Sequence, residues 1–200
     1  KDIAVNAVRQ YEGGVKWRGE HASLFATLFK ATTKVTDQDI TSVAARFVSR
    51  TYEAHGLELE GAYAAGGFDV YAGLTYTRGR IASDQITPDQ VGQQVNPRFM
   101  AQLSPSYRTG PLVLRLSLIG TSAFPSTRNA LANPGFVQVN AFASLSLDQN
   151  WTLSATGNNI FNRIGITEIP NASGGVTANG ANTARSINGR TVLVSLVRAL

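Results

Sequence analysis

Apolar residues alternate with polar ones along most of this chain, and that alternation limits what it can fold into more than any other feature. One clear run sets Val137, Val139 and Ala141 against Gln138 and Asn140. Successive side chains of a β-strand point to opposite faces, so the pattern predicts strands with one apolar and one more polar face. Nine such segments can be drawn, at residues 10–18, 22–34, 51–65, 68–81, 98–108, 111–124, 136–147, 151–161 and 187–200.

The connections between these segments are alternately short and long. The short ones are residues 19–21, 66–67, 109–110 and 148–150, and the long ones are residues 35–50, 82–97, 125–135 and 162–186. A turn-rich all-β chain is also compatible with a soluble sandwich or jelly roll, such as a carbohydrate-binding module. A sandwich has no reason to place every long loop at one end, whereas an outer-membrane barrel has short periplasmic turns and long external loops. We therefore predict an all-β fold, an antiparallel transmembrane β-barrel meander in which each strand pairs with its sequence neighbours.

Composition and aromatic placement are consistent with a membrane barrel. Only 16% of the residues are charged, below the roughly 25% of a typical soluble domain. The chain has no 18-residue apolar run, which argues against a helical membrane protein. Aromatic residues stand toward the segment ends, as interface girdles require; they are Tyr11, Trp17, Phe68, Tyr76, Phe99, Tyr107, Trp151 and Phe161.

The alternation also predicts which side chains meet lipid and which face the lumen. We expect an apolar lipid-facing set, namely Leu112, Leu114, Leu116, Leu118, Val137, Val139, Ala141 and Ala143. The interleaved Arg115, Ser117, Gln138, Asn140 and Ser144 should then face the lumen. Other charged strand residues belong to the polar faces and should also point inward, because charge is costly in hydrocarbon; they are Glu12, Lys16, Arg18, Glu58, Glu60 and Asp69.

Signals for enzymatic or nucleic-acid chemistry are weak. The chain has no Cys and only two His, which lack metal-ligand spacing, and it has no nucleophile elbow or nucleotide-binding fingerprint. The Asp37-Gln38-Asp39 stretch has alternate carboxylates but lacks the rest of a calcium loop, so a solvated external loop is favoured. The net charge of +5 comes from scattered rather than clustered cations. We predict a non-enzyme without cofactor, metal site or nucleic-acid partner.

Three stretches contain recognisable strand motifs, namely YEGGVK at residues 11–16, GLELE at residues 56–60 and GNNIFN at residues 157–162. They resemble the YE-x-G-x-K strand, the G-x-E-x-E strand and the NLFN segment of the barrel of TonB-dependent outer-membrane receptors. A Y-x-Y-T type strand spans residues 71–77, and a Gly-Arg pair at 189–190 opens the last strand. One departure is the ending at Leu200, where the family usually has an aromatic residue.

The resemblance implies that residues 1–200 are the C-terminal portion of a barrel of 22 strands. On that basis the plug domain, the upstream strands and the motif that engages the TonB energy-transducing complex lie outside this chain. It also implies a bacterial outer-membrane location, with membrane lipid, the TonB complex and a small-molecule nutrient as partners. The expected function is energy-coupled uptake of a scarce nutrient, with a ferric siderophore as the default substrate and an oligosaccharide or cobalamin-type substrate as alternatives. A third hypothesis, a barrel enzyme, would need a His at the lumen rim or in a loop, beside Ser or Asp.

The long loops are the expected site of ligand specificity. External loops meet the ligand first and can vary without disturbing strand pairing. Arg128, Arg163 and Arg185 are the candidate anchors for an anionic ligand, because a guanidinium can make forked pairs with carboxylate or catecholate-type oxygens. The Asn-rich parts of the same loops would suit an uncharged sugar.

Overall fold

The computed structural model describes residues 6–39, 46–85, 88–125, 132–168 and 185–199, which form one large antiparallel sheet with two small hairpins. The nine strands of the sheet are β1 (Ala7–Arg18), β2 (Ala22–Asp39), β3 (Arg46–Ala65), β4 (Phe68–Asp84), β5 (Phe99–Thr109), β6 (Leu112–Thr121), β9 (Phe136–Ser146), β10 (Trp151–Asn158) and β13 (Thr191–Arg198). A 3₁₀ helix spans Pro88–Gln90, and the hairpins pair β7 (Phe124–Pro125) with β8 (Ala132–Asn133) and β11 (Ile166–Glu168) with β12 (Arg185–Ser186).

The large sheet is a meander, as predicted. Its order is β1-β2-β3-β4-β5-β6-β9-β10-β13, so neighbouring strands of the sheet follow one another in the described chain, with only the strands of the two small hairpins between them. Within the described residues β1 and β13 are the two edges and do not pair with each other. Residues 7–18 therefore do not close a small barrel against residues 191–198.

At the long-loop end β2, β3 and β4 extend further than predicted, whereas β6, β10 and β13 stop short of their predicted bounds. Residues 35–50 were expected to form a loop, but β2 and β3 remain paired out to Asp39 and Arg46. The stretch holds β-branched and aromatic residues, which favour strands over loops. The expectation of a solvated loop at residues 37–39 is therefore wrong for the backbone, which lies in β2.

Register confirms the predicted assignment of faces. Leu114 lies opposite Ala143 and Leu116 opposite Ala141, whereas Ser117 lies opposite Asn140. Residues directly opposite each other share a face, so the apolar and polar sets lie on opposite surfaces of the sheet. The predicted inward charges also share the polar face, where Lys16 Nζ lies 4.5 Å from the centre of the Phe25 ring.

The apolar face has an uncharged band bounded by aromatic residues. Followed through the register of all nine strands, the band between the aromatic positions contains only apolar residues, Gly and Pro. Seven of the eight predicted girdle residues lie on this face, and Phe161 follows the end of β10. One row of opposite residues runs obliquely across the band through Trp17, Leu24, Gly61, Ala72, Leu103, Leu118 and Val139.

Nothing in the described part of the chain covers this apolar face. Leu24, Leu28 and Val137 are 51%, 65% and 56% exposed. A sandwich would bury such residues against a second sheet, so the soluble-sandwich alternative is wrong. No helix among the described residues is long and apolar enough to cross a membrane.

A buried ion pair stabilises the extension of β3 and β4 beyond the band. Arg50 Nε lies 2.6 Å from Asp84 Oδ2, and the Asp84 side chain is fully buried. Burial alone would lower the pKa of Arg50, but hydrogen bonds to Tyr52 and Asp84 outweigh it and raise the pKa above its ordinary value. Arg50 is therefore charged at every pH at which the protein is studied.

Candidate ligand-binding rim

The external end of β10 is formed by two asparagines with left-handed backbone conformation. Asn159 has φ of 47° and Asn162 has φ of 52°. Asn adopts this region more readily than other side-chain-bearing residues because its short amide can hydrogen-bond locally. The two residues turn the chain sharply after Asn158, where strand pairing ends.

Asn159 is the centre of a buried hydrogen-bond network. Its side chain is 1% exposed. Its Nδ2 donates to the carbonyl oxygens of Arg163 and Asn188, at 2.8 and 2.9 Å, and its Oδ1 accepts from the Arg163 amide at 2.8 Å. One side chain therefore joins the two ends of the last long loop.

The network continues onto the lumen face of the sheet. The Asn159 amide donates to Asn140 Oδ1 at 2.9 Å, and Gln138 Nε2 donates to the same oxygen at 3.0 Å. On the other side, the Arg190 amide donates to Asn162 Oδ1 at 3.0 Å, just before β13 begins. The loop ends are thus attached to both β9 and the start of β13.

A polar pocket of about 390 Å³ opens beside this network at the external end of the lumen face; we call it the rim pocket. Its lining consists of Gln138, Asn158, Asn159, Ser186, Ile187, Asn188, Gly189 and Thr191. None of these side chains is charged, and Asn158 Nδ2 donates to Thr191 Oγ1 at 3.1 Å. Amide and hydroxyl groups both donate and accept, so the pocket can bind a hydroxyl-rich or amide-rich ligand.

The described candidate arginines lie at the two ends of the last loop, next to the rim pocket. Arg163 is exposed and its backbone is held by Asn159. Arg185 is exposed on β12, opposite Glu168 of β11, and the hairpin continues through a 2.8 Å bond from the Ile187 amide to the Gly165 carbonyl. Arg128 lies outside the described residues.

Gln138 was predicted to face the lumen, but none of Asn158, Asn188 and Thr191 was predicted to contact a ligand. The sequence feature that could have predicted the pocket is the asparagine pair at the end of a strand, since such pairs turn the chain and leave amides at the rim. The described residues contain no group of three or more His, Asp or Glu side chains close enough to hold a metal ion.

Comparison with protein families gives a match over most of the chain. The profile described as "TonB dependent receptor-like, beta-barrel" matches residues 8–160. No curated protein sequence shows significant similarity to the chain.

Solved structures share the fold at low sequence identity. The ferric yersiniabactin uptake receptor FyuA from Yersinia pestis superposes with a TM-score of 0.76 at 19% identity, over 98% of this chain and 30% of that one. The siderophore receptor PiuA from Acinetobacter baumannii gives 0.73 at 20% identity, over 96% of this chain and 28% of that one. The copper transporter OprC gives 0.69 at 16% identity, over 97% of this chain and 32% of that one.

The chain thus spans about three tenths of the length of these structures. Its open nine-stranded meander corresponds to part of their barrels. The family match covers more than half of the chain and agrees with the membrane-facing band and the resemblance in its motifs. The chain belongs to the TonB-dependent receptor family, whose β-barrels lie in the outer membrane of Gram-negative bacteria.

Proposed function

We propose that residues 1–200 form the C-terminal part of the barrel of a receptor for energy-coupled nutrient uptake. The plug domain, the upstream strands and the segment that engages the TonB complex belong to the rest of that receptor. The observation that carries the proposal is the rim pocket, which opens on the lumen face at the long-loop end, where an incoming ligand arrives first.

A ferric siderophore is the proposed substrate. Arg163 and Arg185 lie at the two ends of one loop beside a pocket of amides and hydroxyls. Guanidinium groups pair with the anionic oxygens of a chelate, while the amides hydrogen-bond its polar backbone. FyuA and PiuA, which share this fold, are named as receptors for ferric yersiniabactin and for siderophores.

An oligosaccharide is the second candidate. It is favoured by the lining of the rim pocket, which has amide and hydroxyl groups but no charged side chain. Hydroxyl-rich ligands need donors and acceptors in close alternation rather than net charge.

Ligand binding to the complete receptor separates the two substrates. We expect the triple variant Arg128→Ala, Arg163→Ala and Arg185→Ala to weaken ferric siderophore binding by at least about tenfold, because each charge-assisted hydrogen bond contributes about 1.5–3 kcal/mol. Arg108→Ala is the control, since Arg108 lies on the lumen face but near the short turns, at the opposite end from the long loops. Unchanged siderophore binding in the triple variant would contradict the arginine-anchor proposal.

The pair Asn158→Ala and Asn188→Ala tests the pocket itself. Loss of oligosaccharide binding in this variant, with no siderophore bound by the native receptor, would favour the second candidate.

Energy coupling is tested separately, because uptake by whole cells should stop when the proton-motive force is collapsed while surface binding persists. Uptake that continues without the proton-motive force would contradict the proposed TonB-coupled transport.

A further inference from the structure

The outward face carries a row of basic side chains immediately above the apolar band. Lys30 lies opposite His55, and His55 lies opposite Arg78, on three adjacent strands. All three are exposed. Each is two positions from the last band residue of its strand on the same face, namely Leu28, Leu57 and Tyr76, so the row begins where the band ends at its external side.

Next to this row lies a pocket of about 350 Å³, which we call the basic pocket. Its lining is His55, Arg78, Gly79, Arg80, Gly92, Gln94 and Arg98, with no carboxylate among them. A side chain at Gly92 would meet no atom within 4 Å, so this edge of the basic pocket leaves an anion room to approach. Neighbouring strands are about 4.8 Å apart, so the row on three adjacent strands extends over about 10 Å.

The positive charge of this region is only partly balanced. Arg80 Nη2 pairs with Glu53 Oε2 at 3.0 Å, and Arg98 Nε donates to the neutral Gln94 Oε1 at 3.2 Å. Among the described residues, neither Lys30 nor Arg78 takes part in an ion pair. An array of cations with one carboxylate nearby attracts an anion with several negative charges.

The position of the basic pocket relative to the membrane indicates which anion it meets. Tyr76 and Phe99, whose rings are 5.0 Å apart, lie just below it on the lipid-facing side. Aromatic pairs of this kind mark the level of the headgroups. In the outer leaflet of an outer membrane, phosphorylated glycolipids place their phosphates at this level. The pocket faces away from the lumen, so transported ligand does not pass it.

We infer that the basic pocket and the adjoining row bind the phosphates of an outer-leaflet glycolipid. Arg78 offers a guanidinium fork for one phosphate, Lys30 contributes a second cation two strands away, and His55 lies between them. The lipid is held at one position of the wall through charge-assisted hydrogen bonds, while its acyl chains lie along the apolar band below.

The complete receptor in a non-ionic detergent provides the test. Native mass spectrometry counts the lipids that remain bound after incubation with bis-phosphorylated lipid A or with the same glycolipid lacking phosphates. We expect the native receptor to retain the phosphorylated lipid preferentially. The double variant Lys30→Gln and Arg78→Gln should lose that preference by about tenfold or more, as expected for two charge-assisted contacts.

The matched control is Lys16→Gln with Arg115→Gln, which removes the same charge from the lumen face and should leave lipid binding unchanged. Heat-dependent gel migration reports whether each barrel is assembled. If the double variant does not assemble, the single variants replace it, and each should lose part of the preference.

Several results would overturn the inference. They are equal retention by native receptor and assembled basic-site variants, an equal loss in the lumen-face control, and equal binding of the lipid without phosphates. Displacement of the lipid by an equal concentration of inorganic phosphate would indicate a free-anion site instead.

Discussion

Replacing Asn159 by Ala is expected to detach the base of the last loop without disturbing the sheet. The change removes three side-chain hydrogen bonds of 2.8–2.9 Å to the backbone of Arg163 and Asn188. Each is worth about 1 kcal/mol. Alanine also tolerates the left-handed backbone at φ 47° less well, by about 1 kcal/mol. The local opening free energy should therefore fall by about 4 kcal/mol.

Hydrogen exchange at the Arg163 amide measures this opening directly, because that amide donates to Asn159 Oδ1. A change of about 4 kcal/mol corresponds to exchange about 10²–10³-fold faster, up to the unprotected limit. Exchange of the paired amides in the middle of β9 should not change.

Two further substitutions separate the contributions. Asn159→Gly keeps the left-handed conformation and should lose about 3 kcal/mol, the hydrogen-bond part alone. Asn158→Ala is the neighbouring control, since Asn158 is exposed and makes one side-chain bond to Thr191, and it should cost less than about 1 kcal/mol. Native-like protection of the Arg163 amide in Asn159→Ala would refute the reasoning.

Three other changes test the wall itself. Leu116→Arg should destabilise the assembled barrel in lipid by about 2–4 kcal/mol, measured by denaturant unfolding in vesicles, whereas Ser117→Arg on the opposite face should change it little. Arg50→Gln should cost about 3 kcal/mol because it removes the ion-pair partner of the buried Asp84 carboxylate, and faster amide exchange at the external ends of β3 and β4 would report it. Because the pKa of Arg50 is raised, its stabilising contribution is lost only at strongly alkaline pH, and Arg50→Gln should therefore cost the same at neutral and at mildly alkaline pH. Gly56→Ala should reduce the yield of assembled barrel, because the added methyl would meet a backbone carbonyl of β4, and a native yield would contradict that packing.

Strand alternation made most of the fold predictable from sequence. The apolar and polar sets on β6 and β9 follow from period-2 patterning alone, because only one face of a strand can meet hydrocarbon. The meander followed from the short turns, which force neighbouring strands to pair. The extension of β2 to Asp39 was missed because the polar residues at 36–39 resemble a loop.

The rim was harder to predict because it depends on contacts between distant residues. Asn140, Asn159 and Asn188 meet only when β9, β10 and the segment before β13 are adjacent, which no local pattern shows. Arg163 and Arg185 could be named from the sequence as loop cations. Their positions at the two ends of one loop base required the register between β11 and β12.

The oblique row of opposite residues sets the slant of the wall. Trp17 and Trp151 are both girdle residues at the short-turn end. The row of opposite residues that starts at Trp17 reaches β9 at Val139. Trp151 lies opposite Leu147, just after β9 and eight residues further along the chain. The two tryptophans are on β1 and β10, seven strand steps apart. With about 3.3 Å per residue and about 4.8 Å per step, the strands incline by about 40° to the membrane normal, within the range for closed barrels. Two residues that are paired on adjacent strands therefore lie at different depths in the membrane. Residues at the same depth of the lumen are offset from the paired ones by about one position for each strand.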